Sequence, residues 1–140
     1  MNNQVKLIIY TEELLNIGHT TSIESEVESG NCVVFQDNGE TGYFYAIDII
    51  NEEIIVLDAL HIYNVKDVIN TSDDCLVKIL WTEDKTKAIL SINNYYHALL
   101  DFKNKKGYSR TGFPEASKVW KSQTNRQLTD ALLDELFFLV

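Results

Sequence analysis

The stretch that decides the fold runs from Val33 to Ile47. It reads Val33-Val34-Phe35-Gln36-Asp37-Asn38-Gly39-Glu40-Thr41-Gly42-Tyr43-Phe44-Tyr45-Ala46-Ile47. Two strand-like runs flank Asn38-Gly39, and an Asn-Gly pair is the preferred type I′ hairpin turn because both central positions need a positive φ. The stretch therefore predicts an antiparallel hairpin.

Similar runs fill residues 5–114. They are Val5–Tyr10, Thr20–Glu28, Ile54–Asp58, Cys75–Trp81, Lys87–Ile92 and Tyr95–Phe102, with a second two-residue turn predicted at Asn93-Asn94. Thr11–Gly18 suits either a short helix or a bent strand. The pattern ends at Gly112-Phe113-Pro114, because proline lacks the donor that a strand ladder requires. We expect a mainly antiparallel sheet of meander hairpins.

The C-terminal residues change to a helical period. Thr124-Asn125-Arg126-Gln127 fits a capping box. The following apolar side chains fall within about 140° of arc on a helix; they are Leu128, Leu132, Leu133, Leu136, Leu139 and Val140. We expect residues 124–140 to form an amphipathic helix packed on the sheet, after a connector over residues 115–123. Phe137 and Phe138 lie partly outside this stripe and either enter a core pocket or form a homodimer contact.

The length of the chain fits one domain over residues 1–140. The predicted fold class is α+β, with the C-terminal helix on the sheet. Cys32 and Cys75 lie in apolar runs and are predicted to be buried, reduced thiols. Residues 1–6 lack the features of a signal peptide, and no apolar run approaches the roughly 18 residues of a membrane span. These features favour a cytoplasmic protein without a membrane partner.

Charge is divided unevenly along the chain. Residues 1–74 carry fourteen Asp and Glu against two basic side chains, Lys6 and Lys66, which gives −12. Residues 75–140 carry seven acids against ten Lys and Arg, which gives +3 and completes the net charge of −9. A segregated charge of this size acts on partner choice and encounter rate rather than on fold. It favours a basic protein partner.

Five glutamates are the candidate contacts for that partner. Glu24, Glu26 and Glu28 alternate along one predicted strand and would lie on one face at intervals of about 6.7 Å. Glu52 and Glu53 lie in a predicted turn. The alternative interpretation is a solvated edge strand whose charges discourage sheet-to-sheet pairing. The segment lacks the ligand order of a calcium loop, and we expect no metal site.

The one basic cluster consists of Lys103, Lys105, Lys106 and Arg110. Four cations on a molecule with a net charge of −9 attract phosphate groups only weakly. We therefore expect solvated loop charge and no nucleic-acid partner. The tyrosines of the predicted sheet suit cross-strand packing, with an aromatic-lined cleft anchored by Arg110 as the alternative.

An enzyme would have to assemble its catalytic groups across strands. The three histidines match no zinc spacing, and no cofactor motif is present. The candidate set is Asp58, His61, His97, Asp101 and Arg110. His97 and Asp101 share a strand face but lie roughly 13 Å apart, too far for direct contact.

Several motifs together resemble a known family. They are Gly39–Ala46, Leu57–Val65, His97-Ala98 ahead of Asp101-Phe102, and Gly107–Pro114. The chain resembles, over most of residues 5–114, a family of small bacterial proteins known only as a domain of unknown function, DUF2251. The resemblance implies a bacterial cytosolic protein and supplies no active site.

Three interpretations of function remain. The first is a small acidic protein-interaction protein, such as an immunity or antitoxin-like binder of a basic partner, because a negative surface speeds capture of a cation. The second is an enzyme or small-ligand-binding protein with a polar cleft around Asp58, His61, His97 and Arg110. The third is a homodimer joined through its C-terminal phenylalanines. The sequence contains no catalytic signature and favours the first.

Overall fold

A computed structural model describes residues 5–69, 72–120 and 125–137. Within those ranges the chain forms nine strands, a 3₁₀ turn and one helix, α1. The strands are β1 (Leu7–Asn16), β2 (Thr21–Glu26), β3 (Cys32–Asp37), β4 (Thr41–Ile50), β5 (Glu53–Asn64), β6 (Asp74–Thr82), β7 (Lys87–Ile92), β8 (Tyr95–Asp101) and β9 (Lys106–Ser109); the 3₁₀ turn is Val65–Asp67 and α1 is Asp130–Phe137. The predicted fold class, a mainly antiparallel α+β fold with a C-terminal helix, is confirmed.

The strands form two antiparallel sheets. The five-stranded sheet has the order β1-β6-β7-β8-β9, and the four-stranded sheet has the order β2-β3-β4-β5. Most neighbours are joined by hairpins, whereas β1 crosses to pair with β6. The ambiguous segment after Tyr10 continues β1 as a bent strand, because the register shifts between Ile9 and Thr11.

The two sheets pack face to face around one apolar core. Phe35 of the four-stranded sheet and Trp81 of the five-stranded sheet are fully buried in it. The Trp81 indole N–H donates across the core to Ser25 Oγ at 2.9 Å. Trp120 is also buried in this core, so the predicted connector over residues 115–123 contributes to it.

A second, smaller core covers the outer face of the five-stranded sheet. Ile89 on β7 and Leu99 on β8 pack there with Leu133 and Phe137 of α1. The predicted packing of a C-terminal helix on the sheet is therefore confirmed. Phe137 is fully buried, so its side chain does not lie on the surface that a homodimer contact requires. Phe138 lies outside the described residues.

The predicted start of the helix at residue 124 is wrong. The helix begins at Asp130, and its N-cap is Thr129, whose hydroxyl accepts the Leu132 N–H at 3.1 Å. Thr124, Leu139 and Val140, which the prediction included, lie outside the described residues.

Residues 125–128 are extended rather than helical because they add to the edge of β9. Gln127 forms a parallel bridge with Ser109. The Ser109 N–H donates to the Arg126 carbonyl at 2.9 Å, and the Leu128 N–H donates to the Ser109 carbonyl at 2.7 Å. These tertiary hydrogen bonds override the local helical pattern.

The type I′ geometry predicted at Asn38-Gly39 occurs elsewhere. Gly39 has a φ of 95°, but Asn38 does not have a positive φ, and its Oδ1 accepts the N–H groups of Glu40 and Thr41 at 2.9 Å. Both central residues have positive φ at Asn51-Glu52 (52° and 66°) and at Asn93-Asn94 (51° and 63°). The two-residue turn predicted at Asn93-Asn94 is confirmed.

Candidate functional site

The outer face of the four-stranded sheet, the side that points away from the core, is the candidate site. The antiparallel register fixes which side chains share it. They lie in three rows across the sheet: Ser22–Gln36–Tyr43–His61, Glu24–Val34–Tyr45–Ala59 and Glu26–Cys32–Ile47–Val56. We refer to these residues, with the Ile49–Ile54 pair beyond them, as the outer face.

One half of the outer face is an apolar groove. Ile54 and Val56 at the end of β5 are 66% and 46% exposed. A shallow cavity of about 320 Å³ lies beside them, lined by Val34, Gln36, Tyr45, Ile47, Ile54 and Val56. Contiguous exposure of large apolar side chains is uncommon on a monomer and marks interaction surfaces.

The other half is aromatic. The rings of Tyr43 and Tyr45 stack with centroids 5.8 Å apart. His61 packs edge-on against Tyr43 at 5.5 Å and against Phe113 at 6.2 Å. The His61 ring is held in place by contacts of its two nitrogens with Thr111 Oγ1 at 3.3 Å and Asn64 Oδ1 at 3.0 Å. These contacts fix the orientation of the His61 ring against the aromatic side chains beside it.

Carboxylates border the groove along β2. Glu24 and Glu26 are exposed, and their strand is the edge of the sheet. Cys32 lies beneath them, with its Sγ 3.7 Å from Glu24 Oε1. Burial, together with the Glu24 carboxylate, raises the pKa of the Cys32 thiol to about 12. The buried, reduced state predicted for Cys32 and Cys75 agrees with the structure.

The five candidate glutamates divide into two groups. Glu28 forms an ion pair with Lys85 of the β6–β7 turn at 3.1 Å. Among the described residues, the other four are in no ion pair, and Glu52 and Glu53 are exposed at the β4–β5 turn. Glu24 and Glu26 therefore belong to the outer face, whereas Glu52 and Glu53 lie at the turn that follows its Ile49–Ile54 pair.

Most of the acidic part of the chain forms the four-stranded sheet. Residues 21–64, which form the whole four-stranded sheet, contain nine Asp and Glu and no Lys or Arg. Asp37 and Asp58 are buried, and the other seven are exposed. The surface of this sheet is therefore negative, which attracts cations over the distance of a Debye length.

Asp58, one of the catalytic candidates, is a buried partner of Arg126. The guanidinium donates to both carboxylate oxygens at 2.9 and 3.0 Å and to the Ala59 carbonyl at 2.9 Å. Gly107 packs so closely that a Cβ there would collide with the Asp58 carboxylate. The pair fastens the C-terminal segment to β5. No local pattern indicated it, because Arg126 fitted a capping box.

The structure separates most of the other catalytic candidates. Asp101 accepts the backbone N–H and the side-chain amide of Asn104 at 3.0 and 2.8 Å, so it stabilises a turn. His97 and Arg110 do lie together, since the Arg110 N–H donates to the His97 carbonyl at 3.1 Å. His61 instead belongs to the outer face.

Arg110 is already engaged by its surroundings. Its Nε donates to the Tyr96 carbonyl at 2.8 Å, and its guanidinium lies 4.4 Å from the centre of the Tyr95 ring. It also forms an ion pair with Asp130 at 3.0 Å, which fastens the first turn of α1 to the sheet. This arrangement satisfies the cation rather than presenting it to a ligand.

His97 should make stability depend on pH. Burial, with a smaller contribution from Arg110, lowers its pKa from 6.5 to about 4. The unfolded chain therefore binds the proton first, and stability should fall as the pH drops from about 7.5 to about 4. The loss is at most about 3 kcal/mol, and less because the ring is only partly buried. Urea unfolding of His97→Gln across this range should show a smaller loss; an equal loss would contradict the assignment.

A second cavity, of about 510 Å³, lies at the end of the four-stranded sheet. It is lined by Gly39, Glu40, Thr41, Asn64, Val65 and Lys66. The buried Asp37 fixes the neighbouring turns by accepting hydrogen bonds from the Gly18 N–H, the Gly39 N–H and the Tyr63 hydroxyl at 2.6–2.8 Å. Neither cavity is lined by the five catalytic candidates.

The apolar residues of the outer face were not among the sequence candidates. A signal for them exists in the sequence, because Ile47–Ile50 and Ile54–Leu57 are nearly continuous apolar runs. Such runs indicate a strand with apolar side chains on both faces, whereas a sheet with one solvated face shows alternation.

The described residues contain neither a set of side chains suited to a metal ion nor a helix suited to a membrane. No group of three His, Cys, Asp or Glu side chains in that part of the chain could hold a metal ion. No helix among the same residues has the length and apolar character needed to cross a membrane.

Comparison with known proteins gives a family without an assigned function. Residues 15–137 match a family described as an uncharacterised protein conserved in bacteria (DUF2251). An uncharacterised protein of Haemophilus influenzae is 34% identical over 125 residues, which cover 86% of this chain and 78% of that protein. No solved structure matches the chain. The chain therefore belongs to the DUF2251 family of uncharacterised bacterial proteins.

Proposed function

We propose that this protein is a small acidic interaction protein that binds a basic protein partner on the outer face of its four-stranded sheet. The observation that supports the proposal most is the exposed apolar groove on a sheet that carries no Lys or Arg. An apolar centre bordered by charge is the usual composition of a protein-binding surface. The cytoplasm is the compartment we propose for this interaction.

The charges around the groove determine the kind of partner. Glu24 and Glu26 on β2 and Glu52 and Glu53 at the β4–β5 turn would repel nucleic acid, anionic membranes and acidic proteins. The same charges disfavour a second copy of this face, because like charges would meet in a symmetric interface. A cationic protein gains both electrostatic attraction and burial of the apolar groove.

The proposal is tested by affinity capture from a lysate of the source bacterium. The wild-type protein is expected to retain a specific protein with a basic sequence, and to release it as salt rises. The variant Glu24→Lys/Glu26→Lys is expected to bind that protein about a hundredfold more weakly, because both attractive contacts become repulsive. The bound protein is identified by mass spectrometry, and its affinity is then measured with purified components.

The matched control reverses two charges on the opposite side of the molecule. Asp134 and Glu135 are exposed on α1, which covers the five-stranded sheet. The variant Asp134→Lys/Glu135→Lys has the same net charge as the β2 variant and should bind the partner almost normally. Equal loss of affinity in the two variants would show that only total charge matters and would refute a site on the outer face.

A further inference from the structure

We infer that the part of the partner that fills the outer face is an amphipathic α-helix, lying along β4 with its Lys and Arg side chains directed towards β2. The inference rests on the proposed function and specifies the shape of the partner. Its apolar residues, spaced three and four apart, would enter the groove between Val34 and Val56.

The protein itself shows how such a face is covered. The outer face of the five-stranded sheet presents Ile89 and Leu99, and α1 covers them with Leu133 and Phe137. The outer face of the four-stranded sheet presents apolar side chains of the same kind, including Ile47 and Val56, on adjacent strands. Packing a helix on each face of a sheet is a stable arrangement of layers.

The dimensions of the groove fit a helix. It extends across three strands, from β3 to β5, which is about 10 Å at the usual strand spacing. That width equals the diameter of a helix, about 10 Å. Along β4 the outer face runs from Tyr43 to Ile49, about 20 Å, which is the length of a helix of about 14 residues.

Some backbone groups at each edge of the sheet already have partners within the chain, which argues against binding of a partner strand. On β2, the Glu24 carbonyl accepts a hydrogen bond from the Thr11 hydroxyl. On β5, the His61 N–H donates to the Phe113 carbonyl at 2.8 Å, and the Leu57 carbonyl accepts the Ser117 hydroxyl. A partner strand would need free backbone groups along one edge. A helix needs only the exposed side chains.

The charges set the orientation of the helix. Glu24 and Glu26 border the groove on the β2 side. On the β5 side the two corresponding rows end at Ala59 and Val56, which are neutral. The cations of the bound helix should therefore lie along one flank rather than on both.

Two synthetic peptides test the inference. Both have 14 residues and the same number of leucines and lysines; one has leucines at helical spacing, and the other alternates them as in a strand. The helical-period peptide is expected to bind at least about tenfold more tightly in fluorescence anisotropy and to gain helical circular dichroism. The methyl resonances of Val34, Ile54 and Val56 should shift on binding.

Protein variants locate the binding. Ile54→Lys should weaken binding of the helical-period peptide, whereas Leu14→Lys, an equally exposed apolar position on β1, should not. Binding of both peptides to the outer face with equal affinity would overturn the helix and leave the proposed function intact. Three other results would overturn the inference of a helical partner and would also count against the proposed face. They are methyl shifts confined to the five-stranded sheet, equal effects of the two variants, and no binding of either peptide.

Discussion

Replacement of Arg126 by methionine is expected to lower the free energy of unfolding by about 3–5 kcal/mol, because it leaves the Asp58 carboxylate buried without its counter-charge. Both side chains are almost completely buried, and the guanidinium makes three hydrogen bonds to Asp58 and Ala59. The loss should be seen as a lower urea midpoint with an unchanged slope. The C-terminal segment and α1 should lose their protection from hydrogen exchange first, because Arg126 is their attachment to β5.

The double variant Asp58→Leu/Arg126→Met separates the cost of an unpaired charge from the value of the pair. Replacing both members of a buried ion pair with apolar residues is often neutral or stabilising. The double variant should therefore be more stable than Arg126→Met alone. If the double variant is as unstable as Arg126→Met, the ion pair itself provides the stability. The loss in Arg126→Met would then not come from leaving Asp58 buried without a counter-charge.

The sequence predicted the local structure of the sheets because strand periodicity and turn chemistry are local. Lys87–Ile92 and the Asn93-Asn94 turn are where the pattern places them. The pairing of β1 with β6 could not be predicted, since the two strands are about sixty residues apart and nothing in either pattern specifies the neighbour. Without that pairing, the division into two stacked sheets could not be derived either.

The start of the helix shows how tertiary contacts override a local signal. Residues 124–127 fit a capping box, yet Arg126 gains two bonds to Asp58, and its carbonyl accepts the Ser109 N–H. Asp58 and Arg126 are 68 residues apart, so neither sequence pattern indicates the other. For the same reason Asp58 could be regarded as a catalytic group from the sequence.

The sequence predicted the acidic residues of the candidate binding face but not its apolar residues. The acidic residues could be selected from the sequence because the whole four-stranded sheet comes from one acidic stretch; their role in binding stays a prediction. Glu28 differs from the other candidates, since its partner Lys85 belongs to the other sheet. The apolar half requires the register of β3, β4 and β5, which shows that Val34, Ile47 and Val56 share the outer surface.

Replacement of Phe137 by glutamate should unfold α1 or the whole protein rather than dissociate a dimer. Phe137 is fully buried against Ile89 and Leu99. Loss of a large buried aromatic costs about 3–5 kcal/mol, and the buried carboxylate adds to that cost because it has no counter-charge in its apolar surroundings. Phe137→Leu, which keeps most of the apolar volume, should cost far less. Urea unfolding measures both variants.

Sedimentation distinguishes this structural role from a homodimer contact. A residue that only fills a core changes stability without changing the mass of the molecules that remain folded, so Phe137→Leu should sediment like the wild type. A dimer contact would give the opposite result, with a lower mass and nearly unchanged unfolding of the subunit. Since the Phe137 side chain has no exposed surface to offer a second copy, we expect the first result; a Phe137→Glu protein that stays fully folded at half the wild-type mass would contradict it.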